Sequence, residues 1–335
     1  LMEKNVAVAI LNWNGKKHLE TYLPSVIEHS IDAQIYVIDN ASTDDSVAYL
    51  KENFPAINLI YNQRNSGFAG GYNEGLRSIK EEFYVLLNSD VEVCPDWLKP
   101  VIGMMQDDPS ISIAQPKILS YREKHKFEYA GAAGGYIDYL GYPFCRGRIF
   151  QEMEEDRGQY DDIQEVFWAT GACMFVRSKV FWELGGFDER YFAHMEEIDL
   201  CWRAKNLGHK VYYCGHSTVY HLGGGTINNT NPRKTYLNFR NSLITLKKND
   251  RSGFSSLKIL YRLILDGLAF LKLLLDNGPK HAIAILKAHL SFYRIKVRKS
   301  KTEGVNSYGI YKGSIVYDHF IRGIKRFDQL KKGLN

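Results

Sequence analysis

Short apolar runs alternate with longer mixed stretches through the first quarter of the chain. Val6–Leu11, Ile35–Ile38, Ile57–Tyr61 and Phe83–Leu87 have the pattern of strands buried on both faces of a parallel sheet. Between them, the segments near His18–Glu28, Asp44–Asn53 and Gly70–Lys80 read as helices. This rhythm predicts an α/β fold of βαβ units, in which ligands gather at the carboxyl ends of the strands. Those ends read Asn12-Trp13-Asn14-Gly15, Asp39-Asn40-Ala41-Ser42, Asn65-Ser66-Gly67-Phe68 and Asn88-Ser89-Asp90. Four polar, turn-prone ends in succession mark a candidate site. Val6–Leu11 is too short for a signal-peptide core, and Leu1, ahead of Met2, is set aside as an appended residue.

From Ser120 to Glu165 the pattern turns irregular and rich in Gly, Tyr and charge, which predicts a loop or small β excursion over the site. Val166–Arg177 then reads as a strand and Ser178–Leu184 as a helix. The chain from about Ser255 is helical again. There Lys258, Arg262, Asp266, Lys272 and Asp276 fall on one narrow stripe, and nearly everything else between Ile259 and Leu275 is apolar. A charge costs ~2.5–3.5 kcal/mol at a bilayer centre, so the stripe argues against a transmembrane span. It fits a helix lying in a membrane interface or one buried against the domain. Arg294, Lys296, Arg298, Lys299 and Lys301 follow as a cluster suited to anionic lipid, or as the solvated basic end of a helical cap.

With 335 residues, 45% of them apolar and 24% charged, the chain is long enough for a large packed core. Its net charge of +5 is unevenly spread: residues 245–335 carry 19 Lys and Arg against 6 Asp and Glu, a net of +13, leaving −8 on the rest. An acidic body with a basic tail argues against nucleic-acid binding by the whole chain and for an anion-seeking tail, such as one directed at a membrane surface. Cys94, Cys145, Cys173, Cys201 and Cys214 form no CxxC pair and no zinc spacing, which suits reduced thiols in the cytoplasm.

Several stretches carry candidate chemistry. Ser42 and Asp45 have the S-x-x-D spacing of a helix cap, which leaves Asp39 free to accept hydrogen bonds from a ligand's base or ribose. The glycines of Asn65–Asn73 follow the third strand as G-x-x-G-G, so they are no dinucleotide fingerprint, although a close backbone approach to a nucleotide fits them. Asp90 lies where a diphosphate would need a divalent cation. In His194-Met195-Glu196-Glu197-Ile198-Asp199-Leu200-Cys201-Trp202-Arg203, Asp199 and Arg203 are i,i+4 partners. That leaves Glu196 or Glu197 to act as a general base. His221, before Gly223-Gly224-Gly225, can reach a metal or a phosphate.

In this order the motifs Leu11–Gly15, Asp39–Ser42, Asn65–Phe68, Leu87–Asp90, Thr170-Gly171-Ala172, Glu196–Arg203 and His221 resemble glycosyltransferase family 2, in particular its bacterial rhamnosyltransferase-like branch. The resemblance runs from about Val6 to His221. It implies a GT-A fold over residues 2–250, with 251–335 as a helical basic extension. It also implies a nucleotide-diphospho-sugar donor, Mg2+ or Mn2+, and inversion at the anomeric carbon. Carried over, Asn12 and Asp39 hold base and ribose, while Gly67 and Asn73 line the donor pocket. Asn14, Asn40, Phe68 and Gly171 complete the nucleotide-sugar-binding set. Asp90 binds the metal as the last residue of D-x-D. Asn88 replaces the first Asp of that motif and contacts ribose, and His221 approaches the metal or diphosphate. Glu197 stands where the family usually has Asp, so either Glu196 or Glu197 is the base. The branch favours dTDP-rhamnose as donor, and the basic tail favours a lipid-linked glycan acceptor of the cell surface on the cytoplasmic leaflet. A nucleotidyltransferase of related fold would carry a basic Gly-rich loop after the first strand, where only Lys16-Lys17 stands. A non-catalytic nucleotide-sugar-binding module would have no use for Glu196, Glu197 and Asp90 together.

Overall fold

A computed structural model describes residues 5–223 and 231–330. The body runs β1 (Val6–Asn12), α1 (Lys16–His29), β2 (Gln34–Asp39), α2 (Ser46–Asn53), β3 (Asn58–Tyr61), α3 (Gly67–Gly75), β4 (Phe83–Asn88), β5 (Val91–Val93), α4 (Lys99–Asp107) and β6 (Ile111–Ser120). A run of short strands follows: β7 (Gly135–Asp138), β8 (Pro143–Cys145), β9 (Arg148–Ile149) and β10 (Glu152–Met153). Next come β11 (Ile163–Val166), β12 (Cys173–Arg177), α5 (Ser178–Glu183), α6 (Glu196–Asn206), β13 (Lys210–His221) and α7 (Pro232–Asn249). The remainder is α8 (Ser255–Asp276), α9 (Pro279–Arg294), β14 (Ile310–Tyr311) and α10 (Ile315–Phe320).

The main sheet has the order β11-β13-β6-β12-β4-β1-β2-β3, with β5 paired to β13. Strands β3, β2, β1 and β4 are mutually parallel, while β12 inserts antiparallel between β4 and β6. The strand order therefore reverses at β1/β4, and the register sets Asn12 beside Asp39 and Leu11 beside Asn88. One face of the sheet packs Val8, Val85 and Phe175 against Leu23, Trp97 and Met105 of the flanking segments. The other buries Phe167, Trp168, Trp202 and Leu243 in a core that continues through Phe144, Phe292, Tyr311 and Ile315.

That continuity places the last quarter of the chain in the same core as the body. β14 extends the small sheet β10-β9-β8-β7, and Asp138 on β7 accepts from Ile315 N at 3.1 Å. The small β excursion expected in Ser120–Glu165 is this sheet. Val166–Arg177, by contrast, is not one strand. β11 pairs with β13 whereas β12 pairs with β4 and β6, so the chain must cross between them through the Thr170–Gly171 turn. α3 also starts earlier than expected and stops at Gly75, followed by a 3-10 turn over Leu76–Ser78.

The charged stripe of α8 is turned inward. Arg262 and Asp266 are 2% and 1% exposed, while Ile264 and Leu268 are 60% and 62% exposed. The Arg262 guanidinium stacks 3.6 Å over the Tyr142 ring and donates to Ser242 Oγ at 2.7 Å. Asp266 meets His289 of α9 at 2.9 Å, and Lys258 meets Asp250 at 2.7 Å. Lys272 and Asp276, at the far end, remain in solvent.

Candidate active site

The ends of β1 and β2 are joined by side chains. Asn12 Nδ2 donates to Asp39 Oδ1 at 3.2 Å and to Ser42 Oγ at 3.1 Å. Asp39 Oδ2 accepts from Ser42 N at 3.1 Å, and Asn14 Oδ1 accepts from Thr43 N at 2.7 Å. Asn12 Oδ1 is buried with no partner in the protein, an acceptor available to a donor group from a ligand. Ser42 is not the helix cap expected from its spacing. α2 starts at Ser46, whose backbone N donates to Asp44 Oδ1 at 3.1 Å, while the Ser42 hydroxyl is occupied by Asn12 and Asn14.

Two residues expected in the donor pocket hold loops together. Asn40 donates to Gly67 O and Asn65 Oδ1, both at 3.1 Å, and accepts from Asn62. Asn73 donates to Phe187 O at 2.8 Å and accepts from Phe187 N at 2.9 Å. Their amides are committed to partners within the protein, Asn40 to Asn62, Asn65 and Gly67 and Asn73 to the Phe187 backbone. Gly67 likewise makes its close approach to protein. Its φ is +73°, and a Cβ there would collide with the Phe192 carbonyl oxygen. That carbonyl accepts from Phe68 N at 2.7 Å and Ala69 N at 3.3 Å, capping α3 where an anion was conceivable.

Phe192 opens a strained loop that delivers the carboxylates. Phe192, His194 and Met195 all have positive φ, at 64°, 69° and 73°. Asn241, fully buried on α7, donates to Tyr191 O, Ala193 O and His194 O at 3.1, 2.9 and 2.8 Å. The loop ends at Glu196 and Glu197 in the first turn of α6. Asp199, in the same turn, is neutralised as expected by Arg203 at 2.7 Å and also by Lys248 at 2.9 Å. Glu196 and Glu197 each keep an Oε2 with no partner in the protein. Burial pushes both carboxyls above the ordinary range, and the Glu197 charge adds to the rise of Glu196. Glu196 is 4% exposed, whereas Glu197 is more open. A Cβ on Gly171 would sit 3.8 Å from Glu197 Cβ and 3.1 Å from the Phe68 ring, so Phe68, Gly171 and Glu197 share one wall.

The opposite wall is built by β4, β5 and β13. His221 Nε2 lies 3.2 Å from Asp90 Oδ1, and Asn88 Nδ2 lies 3.4 Å from the same nitrogen. His221 Nδ1 is 3.0 Å from Glu128 Oε2. Burial alone would lower the imidazole pKa, but Asp90 and Glu128 override it and raise it to about 10. Burial likewise opposes ionisation of Asp90, yet His221 holds that carboxyl below its usual range. Asn88 N donates to Ala172 O at 3.0 Å, which ties this wall to Gly171 and hence to Glu197. Lys234 at the start of α7 acts electrostatically on both Glu128 and His194, and burial followed by Lys234 lowers the His194 pKa to about 4.

Among the described residues, no group of three or more His, Cys, Asp and Glu side chains is disposed to hold a metal ion. A smaller donor set is present. The Asp90 carboxylate faces His221 Nε2, and Glu128 fixes the far nitrogen of that ring, the arrangement that orients a ligating histidine. Asp90 and His221 would fit a divalent cation that displaces the proton the ring otherwise shares with Asp90, with a diphosphate and water to supply further ligands. Glu128, Lys234 and Asn241 gave no signal in the sequence: Glu128 lies in the irregular stretch, and a single Asn or Lys on a helix is unremarkable. Gly224 and Gly225, expected beside His221, lie outside the described residues.

A sheet reversing at β1/β4, polar strand ends around Asp39 and Asp90, and a carboxylate at the start of α6 define a GT-A nucleotide-diphospho-sugar transferase. The chain belongs to glycosyl transferase family 2, whose description matches residues 7–185, and it is a glycosyltransferase that uses nucleotide sugars. It is 24% identical over 274 residues to the low-salt glycan biosynthesis hexosyltransferase Agl10 of Haloferax volcanii, covering 77% of this chain and 82% of that one. It is also 24% identical over 233 residues to the N-acetylglucosaminyl-diphospho-decaprenol L-rhamnosyltransferase of Mycobacterium tuberculosis, covering 64% of this chain and 75% of that one. In fold it is similar to GalNAc-T7 solved with UDP, GalNAc and Mn2+, with a TM-score of 0.56, 17% identity, and coverage of 72% of this chain and 47% of that one. It is similar also to a mannosyltransferase of Pyrobaculum calidifontis in complex with GDP-Man and Mn2+, with a TM-score of 0.53, 14% identity, and coverage of 87% and 81%.

Proposed function

We propose that this enzyme transfers a sugar, rhamnose from dTDP-rhamnose, with inversion onto a hydroxyl of a lipid-linked cell-surface glycan at the cytoplasmic face of the membrane. The observation that carries the reading is the Glu197 carboxylate. Its Oε2 is buried with no partner in the protein, and it stands on the wall that the Asn88–Ala172 hydrogen bond joins to Asp90 and His221. The rhamnosyl group and the diphospho-lipid acceptor draw on the mycobacterial relative, whose name specifies both.

The chemistry follows from the two walls. Asn12 Oδ1, together with Asp39 and Asn14, receives base and ribose, with Asn88 at the ribose, Phe68 and Gly171 along the sugar, and Gly67, Asn40 and Asn73 shaping the pocket from behind. Asp90 and His221 would hold Mn2+ or Mg2+, and an imidazole in the set would favour Mn2+. The cation, when bound, supplies charge neutralisation for the departing diphosphate. Glu197 accepts the acceptor hydroxyl's proton as that oxygen forms its bond to the anomeric carbon. The bond from that carbon to the diphosphate breaks on the opposite face, so configuration inverts and nucleoside diphosphate leaves. Burial raises the Glu197 carboxyl toward neutrality, where a general base is most effective.

The test is nucleoside diphosphate release from a panel of nucleotide sugars with a synthetic diphospho-lipid-linked acceptor. dTDP-rhamnose should turn over fastest, and Glu197→Gln should retain donor binding while losing at least ~10²-fold in transfer. A Glu197→Gln enzyme at wild-type rate beside an inactive Glu196→Gln would reassign the base. Turnover of another donor alone would remove rhamnose from the reading.

A further inference from the structure

In α8 the usual order of a surface helix is partly inverted, while α9 turns Ala282, Ala284, Ile285, Ala288 and Phe292 to the core and carries further leucines outside. On α8 the charged Arg262 and Asp266 are buried along with Ile259, while Leu260, Ile264, Leu268 and Leu271 are 55–62% exposed. On α9, Leu286 and Leu290 are 51% and 59% exposed beside them. An amphipathic helix on a water-facing surface shows the reverse order, with its apolar stripe toward the core. Here Tyr142, Ser242 and His289 partner the inward charges, so the inverted face is specified and is no slip of rotation. An apolar face of this size in a folded chain marks an interaction surface.

We propose that this face lies in the plane of a membrane and inserts its leucines into one leaflet of an anionic bilayer. This rests on the glycosyltransferase reading only for the acceptor it brings within reach. Charge selects the occupant. Lys280, Lys287 and Arg294 recur at heptad spacing along the exposed flank of α9, and residues 245–335 carry a net +13. Asp276 is the one exposed acid on the two helices. A second copy would oppose one basic fringe to another, whereas anionic headgroups neutralise it. Insertion is shallow and lateral, because no helix among the described residues is long and apolar enough to cross a membrane. At 22 residues, α8 would lie along roughly 33 Å of interface.

The same hairpin abuts the active site. His281 at the start of α9 is 2.8 Å from Thr235 on α7. Two residues earlier on α7, Arg233 stacks 4.6 Å over Phe192, the first residue of the loop that carries Glu196 and Glu197. A leaflet seated on α8 and α9 therefore lies beside the catalytic loop. A sugar on a diphospho-lipid anchor would enter there without leaving the surface.

Flotation on vesicles of phosphatidylcholine alone, and of phosphatidylcholine mixed with phosphatidylglycerol, tests this with the whole chain and needs no substrate. Wild type should float with the mixed vesicles and largely not with the neutral ones. Ile264→Ser, Leu268→Ser and Leu271→Ser should each lower partitioning about tenfold, the equivalent of about 1.4 kcal/mol of lost apolar burial. All three side chains already face solvent, so melting temperature and turnover of a soluble acceptor should stay at wild type. Wild type that ignores both vesicle types would overturn the proposal. So would a lipid-independent dimer in sedimentation that Leu268→Ser dissociates. Normal flotation by a chain that turns over no nucleotide sugar would sink the catalytic reading and leave the docking face standing.

Discussion

Asn241 offers the sharpest test of how this site is held. Its amide is the buried clamp on Tyr191 O, Ala193 O and His194 O, and the loop it clamps contains three non-glycine residues at positive φ. Each left-handed residue costs roughly 1–2 kcal/mol, so the loop stores about 3–6 kcal/mol of strain. Removing the amide forfeits ~1 kcal/mol per hydrogen bond and leaves buried carbonyls short of a donor, for a total of about 2–4 kcal/mol. The two quantities are comparable, so Asn241→Ala should let the loop relax while Met195 O and Asp199 N still anchor its far end. The melting point should fall by roughly 4–10 °C. A base displaced by about 1 Å costs on the order of 10²-fold, so kcat should fall by ~10–10². KM for the donor should barely move, because Asn12, Asp39 and Asp90 stand on other elements. Asn241→Asp keeps the shape but turns a carboxylate toward three carbonyls, and it should be slower still. Steady-state release of nucleoside diphosphate together with a thermal melt measures all of this. An Asn241→Ala enzyme that melts early yet keeps wild-type kcat would show that the clamp serves stability alone.

Other outcomes follow from single residues. Gly67→Ala places a methyl against Phe192 O at a φ of +73° and should destabilise the chain by about 2 kcal/mol or more, whereas Gly103→Ala, with open space around it in α4, should raise the melting point slightly. Burial and Glu197 hold the Glu196 carboxyl above its unfolded value, so the folded state keeps a proton that the unfolded chain releases, and stability falls as pH rises through that window. Glu196→Gln escapes that loss, so its melting point relative to wild type should climb from acid to neutral pH; a pH-independent difference would contradict the assignment. Asp90→Asn should weaken the gain in nucleoside-diphosphate affinity that Mn2+ gives, measured calorimetrically, and full turnover in excess EDTA would take the cation and Asp90's role out of the mechanism.

The polar strand ends that the proposed donor site uses were legible because a buried parallel strand reads as an apolar run, and the polar residue ending it is visible by contrast. Asn12, Asp39 and Asp90 emerged that way, and the structure sets the first two in register across β1 and β2. What lay beyond reach was the use of each amide. Asn40 and Asn73 sit in the same motifs as the residues proposed to face the ligand, yet they bond to Gly67 O and to Phe187. Motif membership says which loop a residue belongs to and nothing about which way its side chain turns. Partners distant in sequence were equally hidden. Glu128 reaches His221 only because β13 runs beside β6 and ends against Ser120.

α8 shows the same limit on a larger scale, with consequences for where the enzyme works. Lys258, Arg262 and Asp266 on a 3.6-residue period tell that one face is charged. Periodicity alone cannot tell whether that face meets water or protein, because its period is identical either way. The ordinary expectation sends charge outward, and it fails here because Tyr142, Ser242 and Asp250 of the body and His289 of α9 receive those groups. A charge buried without partners would be prohibitive, so complementary partners on facing elements are the sign that the inversion is built in. The leucines are left outside as a consequence, on the hairpin that abuts α7 and, through Arg233, the loop carrying Glu197. Polar complementarity within the protein and apolar exposure beside the loop that carries Glu197 are therefore two results of one arrangement. Removing the first should remove the second: Arg262→Leu, which takes the guanidinium from Tyr142 and Ser242, should free α8 to rotate its leucines inward. If so, both protection of α8 amides from hydrogen exchange and vesicle binding should change together, while a variant that loses protection yet binds vesicles as before would separate the two.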